Sequence, residues 1–268
     1  MRIDTILAER RPVFSFEFFP PKTDAGYDNL RATLYSLRQD EPSFVSVTYG
    51  AMGTTRDRTI EVVKFIKEEL GIEAMAHFTC VGATVDELRA TIDEIESAGV
   101  ENVLALRGDA PQGQDEWVQT EGGLLYSTEL IELLGSYPEL AVGAASFPEI
   151  HPDAESADSD LRFLRAKQDA GASFFITQLF FDNELYFEFV ARAREAGVTV
   201  PIVPGIMPVT NYGQIKKFTE MCGATIPEPF EAELEARSGD TGALAELGVA
   251  YAALQCTELL AGGAPGIH

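Results

Sequence analysis

The chain has 268 residues, 46% hydrophobic and 24% charged, a length suited to one α/β barrel and a composition too apolar for disorder. Its formal charge of −23 disfavours phosphate backbones and anionic membranes, and the 20 Lys and Arg are scattered, with no run longer than Arg10-Arg11 or Lys216-Lys217. Three widely spaced cysteines (Cys80, Cys222 and Cys256) form no CxxC and read as reduced thiols. No unbroken apolar run approaches the ~18 residues of a membrane span, and Met1-Arg2-Ile3-Asp4 does not open a signal peptide. These features predict a cytoplasmic protein with no nucleic-acid and no membrane partner.

Short β-branched or aromatic runs alternate with longer amphipathic stretches. Residues 13–18 predict a strand and 27–37 a helix; 44–48 and 59–70 repeat the pair, as do 73–79 and 84–98. A fourth strand at 102–106 leads through a Pro/Gly/Gln loop at 110–114 to a helix near 127–134. Strand 141–145 precedes helix 157–170, and strand 174–178 precedes helix 183–196. A seventh strand at 200–206 is followed by helix 212–221 and further helix to about residue 260. Gly71, Gly99, Gly171 and Gly197 stand where left-handed helix ends are expected.

Repeated β–α units give a parallel sheet. A dinucleotide-binding open sheet would put GxGxxG after the first strand, but that strand runs into Phe18-Phe19-Pro20-Pro21. The expected fold is therefore α/β, a (β/α)8 TIM barrel forming a single domain over 1–268. Seven units are complete, and Gly266-Ile267-His268 begins an eighth that is incomplete.

Barrel active sites lie at strand C-termini. Reading those positions in order gives Glu17, Thr48, His77, Asp109 and Gln178, where packing alone would favour Val, Ile or Leu. Alternation in Phe14-Ser15-Phe16-Glu17-Phe18 points Ser15 and Glu17 into the barrel and the phenylalanines toward the helices. A carboxyl buried there has a raised pKa and suits a general acid; the plainer reading is a glutamate neutralised by Arg or Lys. Asp109, in Arg107-Gly108-Asp109, also reads as an Asx turn, and His77 as a hydrogen-bonded core histidine. His151 sits between prolines in a loop that frames a ligand contact or merely caps the surface. No HxH or HExxH spacing points to a metal, and no Ser-His-Asp elbow or Walker loop occurs. The residues alone reach a barrel enzyme working with carboxylates.

Seven segments in this order resemble the methylenetetrahydrofolate reductase family along essentially the whole chain. They are Phe16-Glu17-Phe18-Phe19-Pro20-Pro21-Lys22, Phe44-Val45-Ser46-Val47-Thr48-Tyr49-Gly50, Ala76-His77-Phe78-Thr79-Cys80, Leu106-Arg107-Gly108-Asp109, Phe147-Pro148-Glu149-Ile150-His151-Pro152, Ile176-Thr177-Gln178-Leu179-Phe180-Phe181-Asp182 and Pro204-Gly205-Ile206-Met207-Pro208-Val209. The resemblance implies FAD across the strand ends, with NADH or NADPH as electron donor and a folate as substrate. It further implies production of a methyl-folate for methionine synthesis and self-association into a homo-oligomer. By the same resemblance Glu17 matches the general acid, and Asp109 the carboxylate beside the flavin that also helps orient the pterin. Gln178 matches the substrate-orienting amide, and Tyr212 an aromatic that packs on folate or nicotinamide. Thr48, His77, Arg107, Gly108, Asp109, Phe147, His151, Asp160 and Lys167 match flavin-contacting positions. The chain departs from some members at Phe147, where a Tyr hydroxyl is missing, and at Phe163 and Ala166, which replace polar or basic residues. A flavin-free reductase passing hydride directly from nicotinamide to folate, and a pterin-binding barrel with no redox role, stay open beside the flavin reading.

Overall fold

The structure is a computed structural model that describes residues 1–48, 56–108 and 119–268. Asp109, Tyr49-Gly50 and the loop expected at 110–114 lie outside the described residues.

Among the described residues eight strands occur: β1 (Val13–Phe18), β2 (Phe44–Val47), β3 (Ala74–Thr79), β4 (Asn102–Leu106), β5 (Ala141–Ser146), β6 (Phe174–Thr177), β7 (Ile202–Val203) and β8 (Gly266–Ile267). Their order is β7-β6-β5-β4-β3-β2-β1-β8, with parallel pairing from β1 through β5 and between β6 and β7. The helices among the described residues are α1 (Ile3–Glu9), α2 (Asp24–Leu37), α3 (Arg56–Glu68), α4 (Val85–Ser97), α5 (Ser127–Leu134), α6 (Ala157–Ala170), α7 (Asn183–Glu195), α8 (Tyr212–Cys222), α9 (Glu228–Ala236) and α10 (Thr241–Ala261). This alternation and strand order are those of an α/β fold of the TIM type. The chain divides into two compact units: Met1–Ala145 with Lys167–Phe174, and Ser146–Ala166 with Phe175–His268.

In the first unit β2, β3 and β4 are buried on both faces, as parallel strands under helices must be; Phe44, Val45, Met75, Phe78 and Val103 are fully enclosed. Helix α4 begins at a capping box in which Thr84 and Glu87 satisfy each other's backbone N–H groups, and its buried Leu88, Ile92 and Ile95 form one stripe. At the N-terminal ends of the strands, the amide of fully buried Asn102 accepts from Ile3 N at 2.7 Å and reaches Glu73 Oε1 and Ala74 O. Lys67 Nζ there bridges Glu73 at 3.0 Å and Glu101 at 2.5 Å.

In the second unit Phe181, Val209, Ile215, Phe230, Leu234 and Leu244 form a buried cluster. The Phe230 and Tyr251 rings stack beside it at 3.7 Å between centroids. The ladder from β7 to β8 continues through His268 N to Pro204 O (2.9 Å) and Ile206 N to His268 O (2.8 Å).

Several expectations change. α1 was not foreseen: about two turns leave only Ile3, Ile6 and Leu7 as a periodic signal. The strand expected over 200–206 shrinks to Ile202–Val203, because Pro201 and Pro204 bring no N–H to the ladder. The helix expected to run on to 260 breaks in two, since Asp240 caps a new start by accepting from Gly242 and Ala243 N–H. That new helix, α10, is by length and composition alone long and apolar enough to cross a membrane, although Glu246, Gln255 and Glu258 interrupt any apolar run. Its buried Leu244, Gly248, Ala252, Gln255 and Leu259 form one stripe, and a Cβ at Gly248 would lie 1.9 Å from Val209 O. The four helix-ending glycines have φ between +68° and +125°, as expected.

Candidate active site

In the first unit β1, β2 and β3 bring Glu17, Thr48 and His77 to neighbouring positions. Parallel register sets Glu17 beside Ser46 and Phe18 beside Val47, while Val47 lies beside Ala76, one residue before His77. Glu17, Ser46 and His77 therefore share the inward face. The Glu17 carboxylate and the His77 imidazole meet: Oε2 lies 3.2 Å from Nε2, out of line for a hydrogen bond. His77 is 6% exposed, and its Nε2 is a buried polar atom with no hydrogen-bond partner.

Burial of Glu17 itself is corrected. The side chain is 36% exposed, because alternation determines the face on which a residue lies but not its depth, and Glu17 stands at the strand mouth. The outward residues Phe14 and Phe16 are also 44% and 41% exposed rather than covered by helix. Thr48 is partly buried; its N–H donates to Phe18 O, and its carbonyl accepts from the Thr59 hydroxyl at 2.9 Å. Thr59 was not anticipated, since nothing in the sequence links two residues eleven apart across a loop.

Arg107 and Gly108 follow β4. Arg107 O accepts from Val81 N, and Gly108 takes φ +91° with its α-carbon so close to Val81 that a Cβ would lie 2.4 Å from Cγ1. Only glycine fits that turn. Beside it, burial raises the Cys80 thiol pKa to about 11, which makes it a poor nucleophile. Lys167 extends along α6 to donate from Nζ to Ala145 O at 2.8 Å.

The second unit assembles another group. Phe147 and His151 meet edge to face at 4.5 Å. His151 Nδ1 accepts from Asp153 N at 3.0 Å, which puts the neutral ring's proton on Nε2. His151 N donates to Asp160 Oδ2 at 3.1 Å, so Asp160 fastens this loop to the first turn of α6. Phe163, on the same helix, is 53% exposed. Gln178 follows β6 directly; its N–H donates to Ser146 O, and its own Oε1 accepts from Leu179 N at 2.8 Å. That contact engages the amide oxygen and leaves the NH2 as the side chain's donor.

Tyr212 opens α8 and donates its hydroxyl to Glu231 Oε1 at 3.1 Å, while Lys216 Nζ reaches the same oxygen at 3.0 Å and lies 5.6 Å from the Tyr212 ring centre. The Lys216 hydrogen bond, then that of Tyr212, lowers the Glu231 carboxyl pKa; desolvation, then Glu231, raises that of the Tyr212 phenol. Glu231 and Lys216 were missed in the sequence because the contact joins two helices 19 residues apart.

The fold is an α/β barrel of the TIM type, the first unit presenting a carboxylate against a buried imidazole and the second a framed imidazole and a half-buried amide. The family model described as methylenetetrahydrofolate reductase matches residues 2–268, and the chain belongs to that family. It is 38% identical over its full length to a probable methylenetetrahydrofolate reductase (NADH) of Oryza sativa subsp. japonica, covering 47% of that protein. It is 44% identical to the 5,10-methylenetetrahydrofolate reductase of Escherichia coli (strain K12), over 80% of this chain and 70% of that one. The chain thus spans about half the length of the plant relatives it matches. Among solved structures, a protein from Clostridium thermocellum described as binding two copies of 5-methyl-5,6,7,8-tetrahydrofolic acid shares the fold. Its TM-score is 0.63 at 18% identity, covering 99% of this chain and 90% of that one.

Proposed function

We propose that this chain reduces 5,10-methylenetetrahydrofolate to 5-methyltetrahydrofolate with FAD as cofactor and NADH as electron donor, supplying methyl-folate for methionine synthesis. The observation that carries the reading is the Glu17 carboxylate 3.2 Å from Nε2 of buried His77, which makes no hydrogen bond, at the strand mouth. Family membership and the relatives' names, reductases acting on methylenetetrahydrofolate with NADH in plants, supply the substrate and donor.

The residues present fit FAD. Buried His77 Nε2 makes no hydrogen bond, and the Phe147 ring packs on the His151 imidazole, whose Nδ1 is held by Asp153 N. In the first unit Thr48, His77, Arg107, Gly108 and Lys167 match the family's flavin-contacting positions and would hold it; in the second unit Phe147, His151 and Asp160 match such positions, and Asp109 lies outside the described residues. When bound, FAD supplies hydride storage between nicotinamide and folate.

Glu17 does the proton work. Protonated at Oε2, it donates to the bridge nitrogen of the folate, the carbon–nitrogen bond opens, and an iminium carbon forms that accepts hydride to become the methyl group. At 36% exposure Glu17 can regain its proton from solvent after each turnover. Within the second unit, Gln178 offers its NH2 to a pterin acceptor, and Tyr212, fixed by Glu231, offers a ring face for stacking.

The test is an absorbance spectrum of the purified, FAD-supplemented protein under anaerobic conditions. Flavin bands at roughly 370 and 450 nm should bleach on addition of NADH and recover on addition of methylene-folate. A colourless protein that turns over with NADH would replace this reading with direct hydride transfer. Folate binding without any redox change would replace it with a pterin carrier.

A further inference from the structure

Tyr212, the ring to which the proposed reaction assigns stacking, is the first residue of α8 and is only partly buried. At that position no preceding helical turn limits its χ1, so the ring needs another restraint to hold one orientation. Part of the restraint is the core of the second unit, since Tyr212 packs against the buried cluster that contains Phe230 and Leu234. The rest comes from α9. Phe230 and Leu234 are 6% and 0% exposed and anchor that helix in the same cluster, which fixes the backbone of Glu231 beside them.

Glu231 Oε1 accepts from the Tyr212 hydroxyl at 3.1 Å and from Lys216 Nζ at 3.0 Å. Lys216 stands four residues after Tyr212 on α8, the spacing that brings two side chains to one helix face. Its ammonium is 5.6 Å from the ring centre, near the outer limit of a cation–π contact, so the carboxylate is its principal partner. With Lys216 46% and Glu231 35% exposed, the ion pair adds little to stability. Its effect is geometric: three groups meeting at one oxygen fix the tip of the ring from two helices. We propose that Glu231 and Lys216 are positioning residues of the folate half-reaction, ordering the Tyr212 ring before folate arrives. The proposal rests on the reading of Tyr212 as a folate contact.

The experiment is a calorimetric titration of 5-methyltetrahydrofolate into the FAD-supplemented full chain, a readout of affinity that needs no turnover. Tyr212→Phe and Glu231→Ala should each raise Kd about two- to tenfold, the range for one side chain that must be ordered on binding. The double variant should bind no more weakly than the worse single one, because both changes break the same contact. Lys216→Met should weaken binding in the same range, and Lys216→Arg should keep the parent's affinity. Reoxidation of reduced flavin at saturating methylene-folate should stay within about twofold of the parent in all of them, which locates the loss in binding. Glu228→Gln removes a charge from the exposed start of α9 and should change nothing. Tyr212→Ala tests the underlying reading and should weaken binding at least about tenfold. If it does not, Tyr212 is no folate contact, and the reading and the proposal fall together. If Tyr212→Ala weakens binding while Tyr212→Phe and Glu231→Ala, folded by circular dichroism, bind as the parent does, the reading stands and the proposal is overturned. It is equally overturned if the effects add in the double variant, if Lys216→Arg binds as weakly as Lys216→Met, or if Glu228→Gln weakens binding as much.

Discussion

Replacing Glu17 by Gln separates the two halves of the proposed reaction. The change keeps shape and hydrogen-bonding capacity but removes the transferable proton. Because the side chain is 36% exposed and ends a strand whose inward Ser15 is already buried, the fold should lose no more than about 0.5 kcal/mol. General acid catalysis contributes about 10²–10⁴ in rate, equivalent to roughly 2.7–5.5 kcal/mol of barrier. Folate reduction should fall by that factor, while flavin reduction by NADH, which needs no acid at Glu17, should stay within about twofold of the parent. Anaerobic stopped-flow absorbance at the flavin band measures each step separately: NADH is mixed with oxidised protein, then methylene-folate with reduced protein. If both rates survive, Glu17 is not the acid. If both collapse, the substitution has damaged the cofactor site and the Glu17–His77 pair is architectural.

Three further outcomes follow from the packing. A Cβ at Gly143 on β5 would lie 2.4 Å from the ring of fully buried Phe174, so Gly143→Ala should cost about 1–3 kcal/mol in urea unfolding, and adding Phe174→Leu should recover part of it. Asn102→Ala strips Ile3 N–H of its acceptor inside a fully buried site and should lower stability by about 2–3 kcal/mol, seen as a reduced urea midpoint with unchanged slope. Lys67, then the N-terminal ammonium, holds the Glu101 carboxyl pKa below its usual 4.5. A depressed folded pKa stabilises above the unfolded value and is lost as pH falls through the folded one. Thermal melts should therefore show Glu101→Gln closing the gap to the parent below about pH 4.5.

The strands were legible where chemistry is local. Runs 13–18 and 102–106 coincide with β1 and β4 because β-branched and aromatic residues there meet clear breaks at Pro and at helix-ending residues. β7 was overread because its apolar run says nothing of the N–H groups missing at Pro201 and Pro204. The strand-end positions of Glu17, Thr48, His77 and Gln178 were readable for the same local reason. Their contacts were not: His77 finds Glu17 across sixty residues, and Tyr212 is held by Glu231 from another helix. Depth was also hidden. Period-two alternation distinguishes in from out, but only the finished fold shows Glu17 at a mouth rather than in the core.

Buried polar atoms give a measure of function that is independent of motif. Asn102 shows what the fold does when an amide is structural: its oxygen and its nitrogen both find partners among Ile3, Met1, Glu73 and Ala74. Leaving a buried acceptor or donor unmatched costs stability that one substitution could restore, so a persistent exception calls for a reason. Among the described residues two such side-chain atoms occur, His77 Nε2 and Gln255 Oε1. The first faces the carboxylate on which the proposed proton transfer depends. The second lies enclosed in the second unit, on the buried stripe of α10, and has no part in that transfer.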